Sequence, residues 1–181
     1  SLRQCLETFL GDNGLPSLHE VRCSRLGPQG CLLIWQTAGM YWTLAGESQI
    51  DAGLHWLEWP FTMAHELSHG MGWTDEGEAN FLAYEACRQT GNPWFRYSAE
   101  LVFWKYLVSG LNEGDSAVYR ECRSLAGPRV LADVAAIRQQ HRQYPELFPE
   151  LRDWFYRKYL ESNQVKSGLA SYDELIPLVV N

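Results

Sequence analysis

Apolar residues recur at helical spacing in the middle of the chain. The recurring positions are Met63, Ala64, Leu67 and Met71. Positions three and four apart lie on one side of a helix, so this spacing predicts a single buried face. Pro60 suits the first turn of such a helix, and Gly70 and Gly72 favour its end.

The chain beyond this helix also has mostly helical periodicity. We predict helices at roughly 76–90, 95–110, 115–125, 129–143 and 150–162. Glycine and proline supply the breaks between them, for example Pro93 and the Gly127-Pro128 pair. The pattern therefore predicts a helical C-terminal part over residues 94–181.

The segment before residue 52 has a different pattern. Residues 26–46 carry no charge and have about the length of a membrane span, but glycine and proline interrupt the run. Two strands at 31–37 and 40–44, around a turn at Ala38-Gly39, explain it better. We therefore expect a hairpin in the region of about 26–52.

Together these patterns predict an α+β fold that is mainly α, with a small antiparallel sheet or hairpin near the N-terminus. The length of 181 residues suits one domain over 1–181, with central helices at about 60–90 between the hairpin region and the C-terminal part. The composition is 46% hydrophobic and includes eight Trp and nine Tyr, which is enough for a sizeable core.

The charge distribution limits the kinds of partner. A net charge of −7 argues against nucleic acid or an anionic membrane surface as the main partner, because both are bound through basic patches. Residues 61–90 contain one basic residue against five acidic ones, which leaves a net charge of −4. This excess agrees with a cation site, although the helix dipole alone also favours acidic residues at a helix start.

Residues 65–69 read His-Glu-Leu-Ser-His, a His-Glu-x-x-His motif inside the first predicted helix. The two imidazoles lie one turn apart on one face, so both can bind one metal ion. The carboxylate of Glu66 can take the proton of the water that attacks a carbonyl. The motif is typical of zinc hydrolases, and it predicts His65 and His69 as ligands of Zn²⁺ with Glu66 as the general base.

A hydrolytic zinc ion needs a third protein ligand. The acidic residues that follow the motif are Asp75, Glu76 and Glu78. Asp75 fits metalloproteases whose motif continues with a glycine at the position of Gly72, although an Asp third ligand is uncommon. Glu76 fits better, because residues 76–83 resemble the Glu-x-x-Ala-Asp/Asn helix that supplies the third ligand in gluzincin peptidases. Glu78 suits a capping box with Asp75.

Helical geometry also favours Glu76. The residues that share its face are Ala79, Asn80, Ala83 and Cys87. Small side chains there allow close packing against the helix that carries the histidines. Asn80 could accept the second ring N–H of a zinc-bound histidine and fix its tautomer. Glu76 is therefore the predicted third ligand, and Glu78 and Asp75 are the alternatives.

Four stretches carry a resemblance to a known family. They are residues 60–73 (PFTMAHELSHGMGW), 78–84 (EANFLAY), 95–98 (FRYS) and 165–172 (VKSGLASY). They resemble an uncharacterised bacterial family of predicted zinc metallopeptidases, which are gluzincin-like and usually attached to a membrane. The resemblance implies zinc on His65, His69 and a following Glu, with Glu66 as the catalytic base.

Members of that family carry membrane-spanning helices before this domain, whereas this chain shows no such segment. The resemblance thus implies a full-length protein anchored in a membrane, with this domain outside the cytoplasm. We expect the chain itself to be soluble. A membrane would be a partner only through a segment that is absent from this chain.

The resemblance also suggests how an oxyanion would be stabilised. Zinc peptidases commonly use Tyr, His or Arg for this purpose, and the aromatic-Arg-Tyr-Ser motif points to Tyr97 as catalytic, with Arg96 beside it. The alternative is an aromatic residue in the core and an Arg that pairs with a carboxylate. His19, His55 and His141 lack spaced partners and are predicted to be surface or capping residues.

The sequence therefore predicts a zinc-dependent peptide-bond hydrolase, a metallopeptidase that acts on a peptide or protein substrate. In zincins an edge strand beside the active helix pairs with an extended substrate, and the hairpin or residues 47–51 could do so. A purely structural hairpin is the alternative. The rival function is a non-catalytic zincin-fold binding or sensing module. Glu66 favours catalysis, because a structural metal site needs no base.

Overall fold

A computed structural model of the protein describes residues 1–17, 21–111, 116–147, 149–150 and 179. In chain order its elements are α1 (Leu2–Asp12), β1 (Arg22–Leu26), β2 (Gly39–Trp42), β3 (Glu47–Asp51), α2 (Trp59–Gly70), α3 (Glu76–Gln89), α4 (Pro93–Leu111), α5 (Ser116–Leu125) and α6 (Pro128–His141). The described chain is mainly helical, with a small three-stranded sheet near the N-terminus, as predicted.

The predicted helices after residue 75 coincide with α3 to α6 to within two residues at each end. The predicted helix at 150–162, the motif at 165–172 and His19 lie outside the described residues. Among the described helices, none is both long enough and apolar enough to cross a membrane.

The sheet is mixed, which corrects the prediction of an antiparallel one. Its strand order is β1-β3-β2. The central strand β3 runs antiparallel to β2, with Ile50 opposite Gly39, and parallel to β1, with Glu47 opposite Arg22. The hairpin is therefore formed by β2 and β3. Its turn lies at residues 43–46, where Gly46 has a φ of +67°, and not at Ala38-Gly39.

The predicted strand at 31–37 is wrong, because a 3₁₀ helix, Leu33–Trp35, occupies this segment. The reason is the carboxylate of Asp51, which is fully buried at the end of β3. It accepts hydrogen bonds from the backbone N–H groups of Gly30, Leu32 and Leu33, at 2.6 to 3.1 Å, and from that of Gly53. Donors bound to this side chain are not available to a strand ladder, so the segment curls around Asp51.

Helix α2 lies at the centre of the fold, where it contacts all three strands and also α1, α3 and α4. Pro60 is in its first turn and Gly70 is its last residue, as predicted. Its apolar side chains Phe61, Ala64 and Leu67 are buried in the main core together with Leu6 and Leu10 of α1. The central helix is thus held on several sides, which suits a helix that carries a binding site.

Candidate metal centre

The side chains of His65, His69 and Glu76 converge between α2 and α3. The two Nε2 atoms are 3.0 Å apart. The carboxylate of Glu76 lies 3.3 Å from Nε2 of His65 and 3.7 Å from Nε2 of His69. Ligand atoms about 2.05 Å from a tetrahedral zinc ion are about 3.3 Å apart, so these distances fit one metal ion. In the part of the chain that the structure describes, no other such group of His, Cys, Asp and Glu is found.

The start of α3 explains why Glu76, and not its acidic neighbours, joins the histidines. Asp75 is the N-cap residue, and its side chain accepts the backbone N–H of Glu78 at 3.0 Å. Glu78 itself is exposed. Glu76 is the first residue of α3, and the buried small residues Ala79 and Ala83 bring this helix close to α2. The geometry thus agrees with the predicted choice of Glu76 among the three.

The ring of His69 is fixed by the backbone that follows α2. Its Nδ1 lies 2.7 Å from the carbonyl oxygen of Trp73, which has no proton to donate, so Nδ1 carries the proton. Nε2 therefore has a free lone pair, and this atom lies close to the candidate ligand atoms of His65 and Glu76. Gly72 has a φ of +104°, and this left-handed turn brings the Trp73 carbonyl back to the ring.

His65 and Asn80 each leave one buried polar atom without a hydrogen-bond partner in the described part of the chain. These atoms are Nδ1 of His65 and Nδ2 of Asn80. Asn80 is 2% exposed and lines the same cavity as the two histidines. The predicted hydrogen bond from a histidine ring to Asn80 is not formed in this conformation. Buried polar atoms without partners are uncommon, and they often mark sites that receive a ligand or water.

Charge around the three residues favours a bound cation. Burial raises the pKa of Glu76, but the hydrogen bonds and charges of His65 and His69 outweigh burial and bring this pKa to about 2. For His69, burial lowers the pKa, yet the hydrogen bond and charge of Glu76 leave it above the ordinary value. The group therefore holds positive charge readily, and that charge can be a proton or a metal ion.

Glu66 is next to the ligands and in a different environment. It is 5% exposed, and no hydrogen bond to its carboxylate occurs among the described residues. Burial, with a smaller effect from the charge of Glu76, raises its pKa although both histidines act in the opposite direction. A carboxylate with a raised pKa, held beside a candidate metal centre, is suited to accept a proton.

The edge strand β2 passes close to Glu66. A Cβ atom on Gly39 would lie 2.7 Å from Cγ and Oε1 of Glu66, so only glycine allows this approach. The hydroxyl of Ser48 on β3 donates to the carbonyl oxygen of Glu66 at 2.6 Å, which fixes the sheet against α2 at the same level. The backbone of β2 therefore lies beside the Glu66 carboxylate.

A cavity of about 1030 Å³ opens over this group. Its walls include His65, Glu66, His69, Glu76 and Asn80, together with the segment 36–41 that contains most of β2. Helices α4, α5 and α6 form the opposite wall. The candidate metal centre is thus accessible to a ligand of considerable size.

Comparison with known proteins places the chain in a family. A family model described as "Protein of unknown function (DUF3810)" matches residues 20–180. The chain belongs to the DUF3810 family. The match begins after α1 and includes the whole candidate metal centre. Among curated proteins and solved structures no match is found.

In this DUF3810 chain Tyr97 does not reach the candidate metal centre, which corrects the role predicted for it. Its hydroxyl donates to the carboxylate of Asp133 at 2.5 Å, and its ring packs in a second core cluster with Leu101 and Ile137. Tyr97 is not among the residues that line the cavity, and neither is Arg96. The alternative of a packing aromatic therefore describes Tyr97.

A second charged group in the cavity wall was not predicted from the sequence. The buried carboxylate of Glu58, the N-cap residue of α2, lies 2.7 Å from Nε2 of His141 and 3.3 Å from Nζ of Lys105. Burial raises the pKa of Glu58, but the His141 hydrogen bond and the Lys105 charge outweigh burial and leave it lowered. Glu58 shares the α2 face of His65, seven residues later, and this spacing was the only available signal.

Proposed function

We propose that this protein is a zinc-dependent peptidase of the zincin type, gluzincin-like because its third ligand is a Glu of the following helix. One observation carries the proposal: three side chains that could hold a metal ion converge in an open cavity, beside a buried glutamate whose carboxylate has no hydrogen bond to the described residues. Membrane attachment, with this domain outside the cytoplasm, stays a prediction from the sequence resemblance.

The residues present fit a zinc ion. Two imidazoles and one carboxylate are the ligand set of several catalytic zinc sites, which keep a further position open. The distances of 3.0 to 3.7 Å between the ligand atoms suit one ion. Zinc, when bound, would act as a Lewis acid and lower the pKa of a coordinated water towards ~7. Asn80 would turn its amide oxygen to the unpaired Nδ1 of His65 and so fix the second ring.

Glu66 would act as the general base. Its carboxylate accepts the proton of the water that attacks the substrate carbonyl, and it then delivers this proton to the leaving amine. The raised pKa of Glu66 favours the first transfer, because a more basic carboxylate accepts the proton of water more readily. Gly39, which has no Cβ, lets the backbone of β2 pack directly against Glu66.

An extended peptide would lie along β2. Within the described sheet β2 pairs with β3 on one side only, so its other edge can bind a substrate strand. Residues 47–51, the other predicted candidate, form the central strand β3 and are already paired on both sides. Segment 36–41 lines the cavity beside Glu66, which agrees with a peptide bound at this edge.

Peptide hydrolysis separates this function from a non-catalytic binding or sensing module. We would digest a proteome-derived peptide library with the wild type, with the chelated protein, with the protein reloaded with zinc, and with Glu66→Gln. The proposal predicts new termini only with the wild type and the reloaded protein, while Glu66→Gln retains zinc. Absence of cleavage by the zinc-loaded wild type, or unchanged cleavage by Glu66→Gln, would contradict a peptidase.

A further inference from the structure

The far end of the cavity carries a second set of charged side chains. Glu58, Lys105 and Arg138 all line it, from α2, α4 and α6. The carboxylate of Glu58 is engaged by Lys105 at 3.3 Å and by His141 at 2.7 Å. Aromatic side chains of Trp104 and other residues complete this wall.

Arg138 differs from its charged neighbours. It lies one turn before His141 on α6, and it is exposed at the cavity wall. Within the described part of the chain, no hydrogen bond or ion pair engages its guanidinium group. Lys105 already balances the single negative charge of Glu58, so Arg138 leaves this end of the cavity with an excess positive charge.

The distance between the two ends follows from helix geometry. Glu58 and His65 are seven residues apart on α2, and an α-helix rises 1.5 Å per residue, so they lie about 10 Å apart along its axis. An extended peptide advances about 3.3 Å per residue. A peptide whose scissile bond lies at the metal centre thus reaches the level of Glu58 about three residues away. Arg138 lines the cavity and lies one turn before His141, the partner of Glu58.

We propose that Arg138, with Lys105 beside it, forms a subsite that selects an acidic group of the peptide substrate about three residues from the scissile bond. This inference rests on the proposed peptidase function and adds a substrate class to it. A guanidinium group binds carboxylates through two parallel hydrogen bonds, which suits Asp, Glu or a C-terminal carboxylate. The same positive charge repels a Lys or Arg side chain of a substrate.

A charge swap tests the subsite. Matched peptides would carry Glu, Gln or Lys at one position, scanned from two to four residues on either side of a cleaved bond. The measured quantity is the ratio of kcat/KM for the Glu peptide to that for the Lys peptide. We expect about a 10-fold preference for Glu at one position, since attraction and repulsion add in this ratio. Arg138→Glu should invert it. Arg142→Glu, four residues later at the C-cap of α6 and outside the cavity wall, should leave it unchanged.

The outcomes distinguish this inference from the proposed function. Inversion of the ratio by Arg138→Glu and not by Arg142→Glu supports the subsite. Cleavage of all peptides with a ratio near one, or equal changes in both variants, overturns the subsite while the peptidase function stands. If the zinc-loaded wild type cleaves none of the peptides, the peptidase function fails and the subsite fails with it.

Discussion

Two buried glutamates of the central helix, eight residues apart, face the same cavity in opposite environments. Glu58 is 7% exposed and Glu66 is 5% exposed. The carboxylate of Glu58 binds the side chains of His141 and Lys105, and its pKa is lowered. The carboxylate of Glu66 has no hydrogen bond to the described residues, and its pKa is raised. Equal burial thus has opposite consequences, because one charge has partners and the other does not.

This difference distinguishes a carboxylate that stabilises the fold from one that is available for the proposed proton transfer. A buried charge that has partners connects the elements that carry those partners. Glu58 in this way connects α2 with α4 and α6. A buried charge without partners costs stability and persists where it has another use. Under the proposed function, Glu58 stabilises the fold and Glu66 transfers the proton.

The largest expected effect separates the two residues by activity. Glu66→Gln should lower kcat/KM for peptide hydrolysis by about 10³-fold, the middle of the range for a general base. Its zinc content should equal that of the wild type, and its free energy of unfolding should be unchanged or higher, because a buried unpaired charge is removed. Peptide kinetics, elemental analysis and urea unfolding check the three parts. Loss of zinc or a large loss of stability would show that Glu66 serves the fold.

The next effect tests the partnered glutamate. Glu58→Gln should lower the free energy of unfolding by about 2 kcal/mol, in the range for hydrogen bonds to charged groups. A larger loss is not expected, since Lys105 and His141 are 36% and 41% exposed and can turn to water. Glu85→Gln, which removes a surface pair with Arg88, should cost less than about 0.5 kcal/mol. Equal stability of the Glu58 and Glu85 variants in urea unfolding would remove the contrast.

The pH dependence of stability should have opposite signs for the two residues in metal-free protein. Glu58 has a lowered folded pKa, so it stabilises the fold above its unfolded pKa of about 4.3 and loses this effect as the pH falls. Glu66 has a raised folded pKa, so its contribution falls as the pH rises from about 4.3 through the folded value. Unfolding of wild type, Glu58→Gln and Glu66→Gln from pH 3 to 8 measures both. If both substitutions changed the pH dependence of stability in the same direction, the opposite environments of Glu58 and Glu66 would be contradicted.

The smallest effect concerns the backbone turn at Gly72, which positions His69 in the candidate metal centre. Gly72→Ala forces a side chain into a left-handed conformation, which should cost about 1–2 kcal/mol. It should also weaken zinc binding about 10-fold, because the Trp73 carbonyl would leave Nδ1 of His69. Gly91→Ala is the matched control, since neither glycine has an atom near an added Cβ and only Gly72 has a positive φ. Equal zinc affinity of the two variants would show that the turn at Gly72 does not contribute to zinc binding.

Most of the candidate metal centre was predictable from local sequence. The His65-Glu66-x-x-His69 spacing, the glycines after it and the first turn of α3 lie within one short segment, so helix periodicity was enough to bring them together. The structure agrees with Glu76 among three acidic candidates, because Asp75 caps the helix and Glu78 is exposed.

Partners distant in sequence were not predictable in this way. Glu58 meets Lys105 and His141 through packing of three helices, and no local pattern encodes that packing. The side chain of Asp51 binds the N–H groups that a strand at 31–37 would have used, and this competition is invisible to strand propensity. Motif resemblance predicted Tyr97 as a catalytic residue, but its hydroxyl is bound to Asp133, which is distant in sequence.

Zinc binding at Glu76 is the most direct test of the proposed metal centre. We would measure zinc per chain by elemental mass spectrometry and zinc affinity by competition with a chelating dye, for the wild type, Glu76→Gln and Glu78→Gln. We expect one zinc per wild-type chain. In Glu76→Gln we expect a loss of affinity above about 100-fold, which exceeds the roughly 10- to 100-fold effect of residues that contact a ligand without binding the metal. Glu78→Gln should bind zinc like the wild type. Absence of zinc from the wild type, or equal affinity of the two variants, would contradict the proposed metal centre.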